Sequence, residues 1–206
     1  MNNAIVWEAQ LHLKTHDKVL GGLIDEFKFE LNSNKNYFES LYKIIIDQQL
    51  NLKTANQIFL RFKKLLGPKG SYLEALDLKA KDLREIGLSS SKITYIKDLA
   101  FRIKNHEINF DSLITKTDQE IVLDLVQIKG IGIWSAQMFL IFGLARPNVL
   151  PTLDNGLSRA VYLNYGLKDK PTPKDIEKLA IKNNWQPYST IATIYLWRSL
   201  KNSLKA

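Results

Sequence analysis

The 206-residue chain contains no cysteine. Disulfides, cysteine-ligated zinc and cysteine-ligated iron–sulfur clusters are thereby excluded. Histidine is scarce: His12, His16 and His106 are the three present. The i, i+4 spacing of His12 and His16 would set both on one side of a helix. No carboxylate signature accompanies them, so two surface histidines are expected, and no side-chain metal site. Long apolar runs are also missing, since none approaches the ~20 residues that a membrane helix requires. The first residues, with Glu8, His12 and Lys14, lack the apolar core of a signal peptide. The expectation is a soluble intracellular protein, cytoplasmic (nucleoid) or nuclear, with no membrane association and no obligate protein partner.

What is present points elsewhere. Hydrophobic residues make up 45% of the chain, enough for a substantial core and against global disorder. The length suits one domain, or two small lobes sharing a core. The formal net charge is +8, which makes nucleic acid the obvious acidic partner.

The apolar spacing is helical nearly throughout. Phe38, Leu41, Tyr42 and Ile45 share one face over Tyr37 to Leu50. The β-branched run Ile44-Ile45-Ile46 resembles a strand, but its length and flanks favour a buried helix. Further helices are predicted from Thr54 to Leu66, ending at Gly67-Pro68, and from Lys79 to Ile86, closed by Gly87. Serines 89 to 91 offer an N-cap for a helix carrying Ile93, Ile96, Leu99, Ala100 and Ile103. Thr117 and Glu120 fit a capping box for a helix to about Val126. Trp134 to Phe142, apolar on every side, should lie centrally. Pro147 to Leu153 reads as a linker, Asp154 to Tyr165 as a helix, Thr172-Pro173 as the start of another, and Gln186 to Leu200 as the last. The fold class is all-α, with roughly ten helices and no convincing strand pair.

Leu125-Val126-Gln127-Ile128-Lys129-Gly130-Ile131-Gly132-Ile133-Trp134-Ser135-Ala136 is the most informative segment. Gly130 and Gly132 free the backbone for positive φ and remove Cβ atoms from its outer surface. A helix follows at once, and its first N–H groups carry the positive end of the helix dipole. A phosphate can therefore approach bare amides, with Lys129 adding a cation at the rim. A G-x-G alone is ordinarily just a tight turn. The full Leu-x-x-Ile-x-Gly-Ile-Gly-x-Trp-Ser-Ala pattern resembles a helix–hairpin–helix motif, which grips the DNA backbone without reading sequence.

Together with Pro151-Thr152-Leu153-Asp154-Asn155-Gly156-Leu157, the hairpin resembles the helix–hairpin–helix (HhH-GPD) DNA glycosylase superfamily, of the alkylbase, 3-methyladenine DNA glycosylase II type. Ile45-Ile46-Asp47-Gln48-Gln49-Leu50 is similar to the family's Ile-x-x-Gln-Gln helix end. Leu83 to Lys92 resembles its Leu-x-x-x-Gly-Leu-Ser-x-x-Lys stretch. Trp185-Gln186-Pro187-Tyr188 resembles its Trp-x-Pro-aromatic helix. The resemblance spans about residues 15 to 200. It implies a single glycosylase domain of two helical lobes with a cleft between them: residues 36–125 in one, residues 1–35 with 134–206 in the other, and the hairpin 125–136 at the junction.

The implied substrate is double-stranded DNA with a damaged base, flipped out of the stack for hydrolysis of its N-glycosidic bond in base excision repair. Asp154 matches the family's catalytic aspartate; alone, it would read as an N-cap. Where bifunctional relatives carry a Schiff-base lysine, this chain has Trp134, implying a monofunctional enzyme that leaves an abasic site. Trp134 and Tyr188 match pocket positions suited to a cationic base, and Met138 stands where some members have a pocket tyrosine. For each, core packing is the ordinary alternative. Gln48 and Gln49 match the region that fills the gap left by the flipped base. With Lys129, Gly130, Ile131, Gly132 and Ser135 they form the expected DNA contacts. The resemblance further implies a structural Na or K ion on the carbonyls of Val126, Ile128 and Ile131, and no other cofactor. Met138, Ser189 in place of a common arginine, and Asp47 in place of a common glycine depart from the pattern and bear on substrate range. A glycosylase for oxidised or deaminated purines and a non-catalytic DNA-binding module stay open as alternatives.

Overall fold

A computed structural model describes residues 3–29, 31, 34, 36–113 and 115–202. Among these it contains thirteen helices and no strand. The chain separates into two compact units, residues 34–144 and residues 1–33 with 145–206.

The first unit contains α3 (Tyr37–Asp47), α4 (Leu52–Leu66), α5 (Tyr72–Asp77), α6 (Ala80–Glu85), α7 (Ser90–Lys104), α8 (Phe110–Leu113), α9 (Asp118–Leu125) and α10 (Ile133–Phe142). The isoleucine run is helical and buried in α3, because a helix hydrophobic on most of its surface can be covered by several neighbours. Those neighbours are α4, α7 and α10. The predicted caps form: Ser89 Oγ accepts from Lys92 N, and Thr117 and Glu120 exchange the two bonds of a capping box. Helix α4 begins two residues before the expected Thr54 because Asn51 accepts from the Thr54 N–H at 2.9 Å. Helix α3 stops at Asp47 rather than Leu50, since Gln49 lies in the left-handed region with φ 57°.

Helix α10 buries Ser135, Ala136, Met138, Phe139, Leu140 and Ile141. It packs on α3 and α9, so residues 134–144 belong with this unit. The expected lobe boundary at the hairpin therefore moves to residue 144. The physical reason is that α9, hairpin and α10 form one continuous packed piece, which cannot be divided at its turn.

The second unit contains α1 (Asn3–His16), α2 (Lys18–Glu26), α11 (Asn155–Asn164), α12 (Pro173–Lys182) and α13 (Ser189–Asn202). Ala9, Leu13, Leu20, Leu157, Val161, Ile176, Trp185, Ile191 and Tyr195 meet in its core. Asp17 is 3% exposed within it. One carboxylate oxygen caps α2 by accepting from Val19 N and Leu20 N; the other accepts from Tyr165 Oη at 2.5 Å and Trp185 Nε1 at 2.8 Å. Four donors repay the cost of burying this carboxylate. Burial, followed by that hydrogen bond, pushes the Tyr165 phenol well above its ordinary range.

Helices α1, α2, α5 and α8 are additional to those the apolar spacing predicts. The last two span six and four residues, too short to display a helical period. Among the described residues no helix is long and apolar enough to cross a membrane.

Candidate functional site

The hairpin joins α9 to α10. Gly130 has φ +80°, where L side chains are strained, and its α-carbon lies against Tyr95 of α7. A Cβ there would enter the Tyr95 ring at Cδ2, Cε2 and Cγ. Gly132 is different: φ is −96° and ψ −179°, ordinary extended backbone, and a Cβ would meet nothing within 4 Å. The expectation of positive φ at both glycines is thus corrected. Gly130 is fixed by the fold, while Gly132 keeps the outer surface bare.

Hairpin amides already bonded inside the protein include those of Lys129 and Ile131. Ile131 N donates to Ile128 O at 3.0 Å, and Lys129 N donates to Asp98 Oδ2 at 2.9 Å. Asp98 also binds Arg102 Nε at 3.0 Å, and its Oδ1 lies 3.9 Å from Lys129 Nζ. The Ile131 side chain is buried, so it supports the turn from below. The exposed backbone left for an anion is Gly130, Gly132 and the first turn of α10, where Gly132 provides no side-chain cap. The Lys129 side chain is exposed beside it.

A recess of about 390 Å³ lies along this edge, lined in part by Gln48, Gln49, Tyr95, Gly130, Trp134 and Ser135. The sequence-predicted residues Gln48, Gln49, Gly130, Gly132, Trp134 and Ser135 are thus brought together, and Tyr95 joins them. Tyr95 was not found from sequence; its only signal was its place three residues beyond Lys92 on α7. Gln48 is turned inward: its Nε2 donates to Gly130 O at 2.8 Å and to Ser135 Oγ at 3.2 Å. Ser135 is buried and its hydroxyl receives Gln48, so its side chain serves the recess wall rather than the outer surface. Gln49 is exposed at the tip of the turn. Lys92 Nζ donates to Ile46 O at 2.7 Å and Gln48 O at 2.8 Å, closing the C-terminus of α3. Burial pulls the Lys92 ammonium below its ordinary pKa, and the Asp47 charge partly opposes this. Asp47 itself pairs with Lys43 at 2.8 Å.

In the second unit, Asp154 is the N-cap of α11. Its Oδ1 accepts from Leu157 N at 2.6 Å and from Trp197 Nε1 of α13 at 2.8 Å. Gly156 makes room for that pair, since a Cβ there would lie 3.0 Å from Asp154 Oδ1 and 3.3 Å from Trp197 Nε1. Cap and anchored carboxylate therefore coexist, on a side chain that is only half-buried. The contact of Trp197 with Asp154 spans 43 residues, beyond the reach of any local sequence signal.

The remaining expected pocket residues are placed otherwise. Met138 is buried in α10. Tyr188 belongs to the second unit's core, its ring edge-on to His12 at 5.4 Å. Burial, then the hydrogen-bonded Glu8 carboxylate, raises its phenol. Both side chains, Met138 and Tyr188, are buried. Ser189 Oγ donates to Asn148 Oδ1 at 2.8 Å. His12 Nε2 meets Asn184 O at 2.7 Å, and His16 Nδ1 meets His12 O at 2.8 Å.

The model of the HhH-GPD superfamily base excision DNA repair proteins matches residues 42–187, and the chain belongs to that superfamily. Its relatives narrow the likeness. DNA-3-methyladenine glycosylase 1 of Schizosaccharomyces pombe is 31% identical over 94% of this chain and 87% of its own length. A Bacillus subtilis protein provisionally named DNA-3-methyladenine glycosylase YfjP is 36% identical over 80% of this chain, which spans only 59% of that protein's length. Among solved structures, the Schizosaccharomyces pombe 3-methyladenine DNA glycosylase in complex with abasic DNA superposes with a TM-score of 0.86 at 30% identity, covering 94% of this chain and 97% of that one.

Proposed function

We propose that the chain is a monofunctional DNA glycosylase that excises alkylated bases of the 3-methyladenine and 7-methylguanine type from double-stranded DNA, leaving an abasic site. The observation that carries this reading is Asp154, a carboxylate fixed by a backbone amide and an indole N–H. Breaking an N-glycosidic bond leaves positive charge on the sugar, and a preorganised carboxylate stabilises charge as it develops. Alkylated purines that carry positive charge leave without strong general-acid help, which suits a chain so poor in histidine. The exposed Gly130–Gly132 backbone and α10 N-terminus suit a phosphate. The relatives named as 3-methyladenine glycosylases support the substrate class.

Trp134 supports the monofunctional half of the reading, because an indole cannot form an imine with the sugar. Base release from methylated duplex DNA tests both halves. Free 3-methyladenine and 7-methylguanine should accumulate with alkali-labile abasic sites, and borohydride should trap no enzyme–DNA adduct. An adduct would point instead to a lyase of the oxidised-purine kind. No release at all would leave the DNA-binding module as the better reading.

Trp197 acts through Asp154 as a positioning residue. Trp197→Phe keeps an aromatic ring, though a smaller one, and removes the N–H. A hydrogen bond to a charged acceptor contributes about 1.5–3 kcal/mol, so a roughly tenfold or greater loss of base release is expected, with DNA affinity unchanged. Single-turnover release beside a binding titration separates the two. Equal release by both proteins would refute the role.

The carbonyls of Val126, Ile128 and Ile131 lie at the end of α9 and in the turn. Ile128 O already accepts from Ile131 N, and a carbonyl retains a second lone pair. These carbonyls would be the donors for the Na or K ion that the resemblance implies, and the ion would add positive charge near the hairpin.

A further inference from the structure

Helix α7 carries Lys92, Tyr95 and Asp98 at three-residue steps, on one face. Each holds a different part of the recess edge. Lys92 takes the carbonyls of Ile46 and Gln48. Tyr95 underlies Gly130. Asp98 receives the Lys129 N–H. Gln48 closes the circuit by donating to Gly130 O and Ser135 Oγ. The residue left outside is Gln49, held at φ 57°, a left-handed conformation unfavourable for a residue other than glycine. Strain of this kind persists only where the surroundings over-determine it. Here they do so through Gln48, whose carbonyl is tied to Lys92 and whose side chain is tied to the hairpin.

We propose that Lys92 is a positioning residue for strand opening: by gripping the last carbonyls of α3 it presents Gln49 at a fixed height above the phosphate-binding hairpin. This rests on the base-excision reading, since Gln49 would enter the gap left by the flipped nucleotide. Without the ammonium, the carbonyls of Ile46 and Gln48 lose their partner and the turn can relax. Hairpin and wedge would then no longer act at one spacing, although the hairpin still binds phosphate.

Lys97 supplies an internal control. It lies on the same helix and closes α5 in the same way, donating to Leu76 O at 2.5 Å and Leu78 O at 2.6 Å, but it is not among the residues that line the recess. Any effect of losing a helix-end lysine from α7 in general appears equally in Lys97→Met.

The test uses the full chain and a duplex with a tetrahydrofuran abasic analogue opposite 2-aminopurine. Its fluorescence reports what enters the gap and requires no base release. Wild type should change the fluorescence on binding. Lys92→Met should reduce that change at least severalfold, with the slope of affinity against salt unchanged, while Lys97→Met behaves as wild type and Lys92→Arg recovers part of the signal. In the Gln49→Ala background the Lys92→Met effect should vanish, because residues acting through one contact are non-additive. If Lys92→Met fails to fold, Lys92→Gln enters the same cycle. A full signal from the Lys92 variant, or an effect that persists without the Gln49 side chain, overturns the proposal. So does the absence of any wild-type signal. Base release by wild type on methylated DNA is scored separately, so failure of the enzymatic reading is distinguishable.

Discussion

Asp154→Asn is expected to abolish most base release while leaving the protein folded and bound to DNA. The amide oxygen of asparagine can accept from Leu157 N and Trp197 Nε1 as the carboxylate does, so the α11 cap survives. What is lost is the fixed negative charge. Removing one preorganised electrostatic group from an active site typically costs about 10²–10³ in rate, and a loss of that size is expected in single-turnover release of 7-methylguanine. Loss of a charge near a helix N-terminus costs only about 0.3–1 kcal/mol of stability, so the melting temperature should fall by a few degrees at most. DNA affinity should hold or rise, since a carboxylate no longer repels phosphate. Undiminished release would remove Asp154 from the chemistry and reduce it to a cap. Weakened binding with normal release would place it among the DNA contacts instead.

Gly130→Ala and Gly132→Ala should fail for different reasons. At position 130 the new methyl meets the Tyr95 ring at a φ of +80°, so either the hairpin lifts or the ring moves. Overpacking costs about 1–3 kcal/mol, and backbone strain adds a similar amount. Gly130→Ala should therefore lower both the melting temperature and DNA affinity. At position 132 the methyl meets no protein atom within 4 Å. Gly132→Ala should leave the melting temperature within a degree or two and still weaken binding to any duplex, with no change in sequence preference, because the methyl would stand where a phosphate approaches. Thermal melts beside salt titrations of binding read both quantities. If both variants melt normally and bind normally, the hairpin is not the phosphate site.

Much of this was legible in local sequence. The buried helix at Ile44-Ile45-Ile46, the caps at Ser89 and Thr117, and the proline-started α12 all formed because they depend on residues within one or two turns. A further local signal is the capping box that Ser71 and Glu74 form at the head of α5. Helix α1 is harder to read, since it buries only Ala9 and Leu13 and so carries little periodic signal. The cap that Asp17 gives α2 is local, but its burial is not, because its partners Tyr165 and Trp185 lie 148 and 168 residues away.

The same division runs through the candidate site. The sequence by itself determined which chemistry is available: bare glycine backbone before a helix, a tryptophan where a lysine would permit strand cleavage, and an aspartate at a helix start. Only the tertiary structure decided which of those groups are spent inside the protein. The Gln48 amide is tied to a carbonyl 82 residues away, whereas Gln49 is exposed. Lys129 N is bound by Asp98, and Met138 and Tyr188 are buried. The reason is that composition and caps act through near neighbours, whereas the availability of a polar or aromatic group depends on what packs against it. That is set by residues brought together from distant parts of the chain.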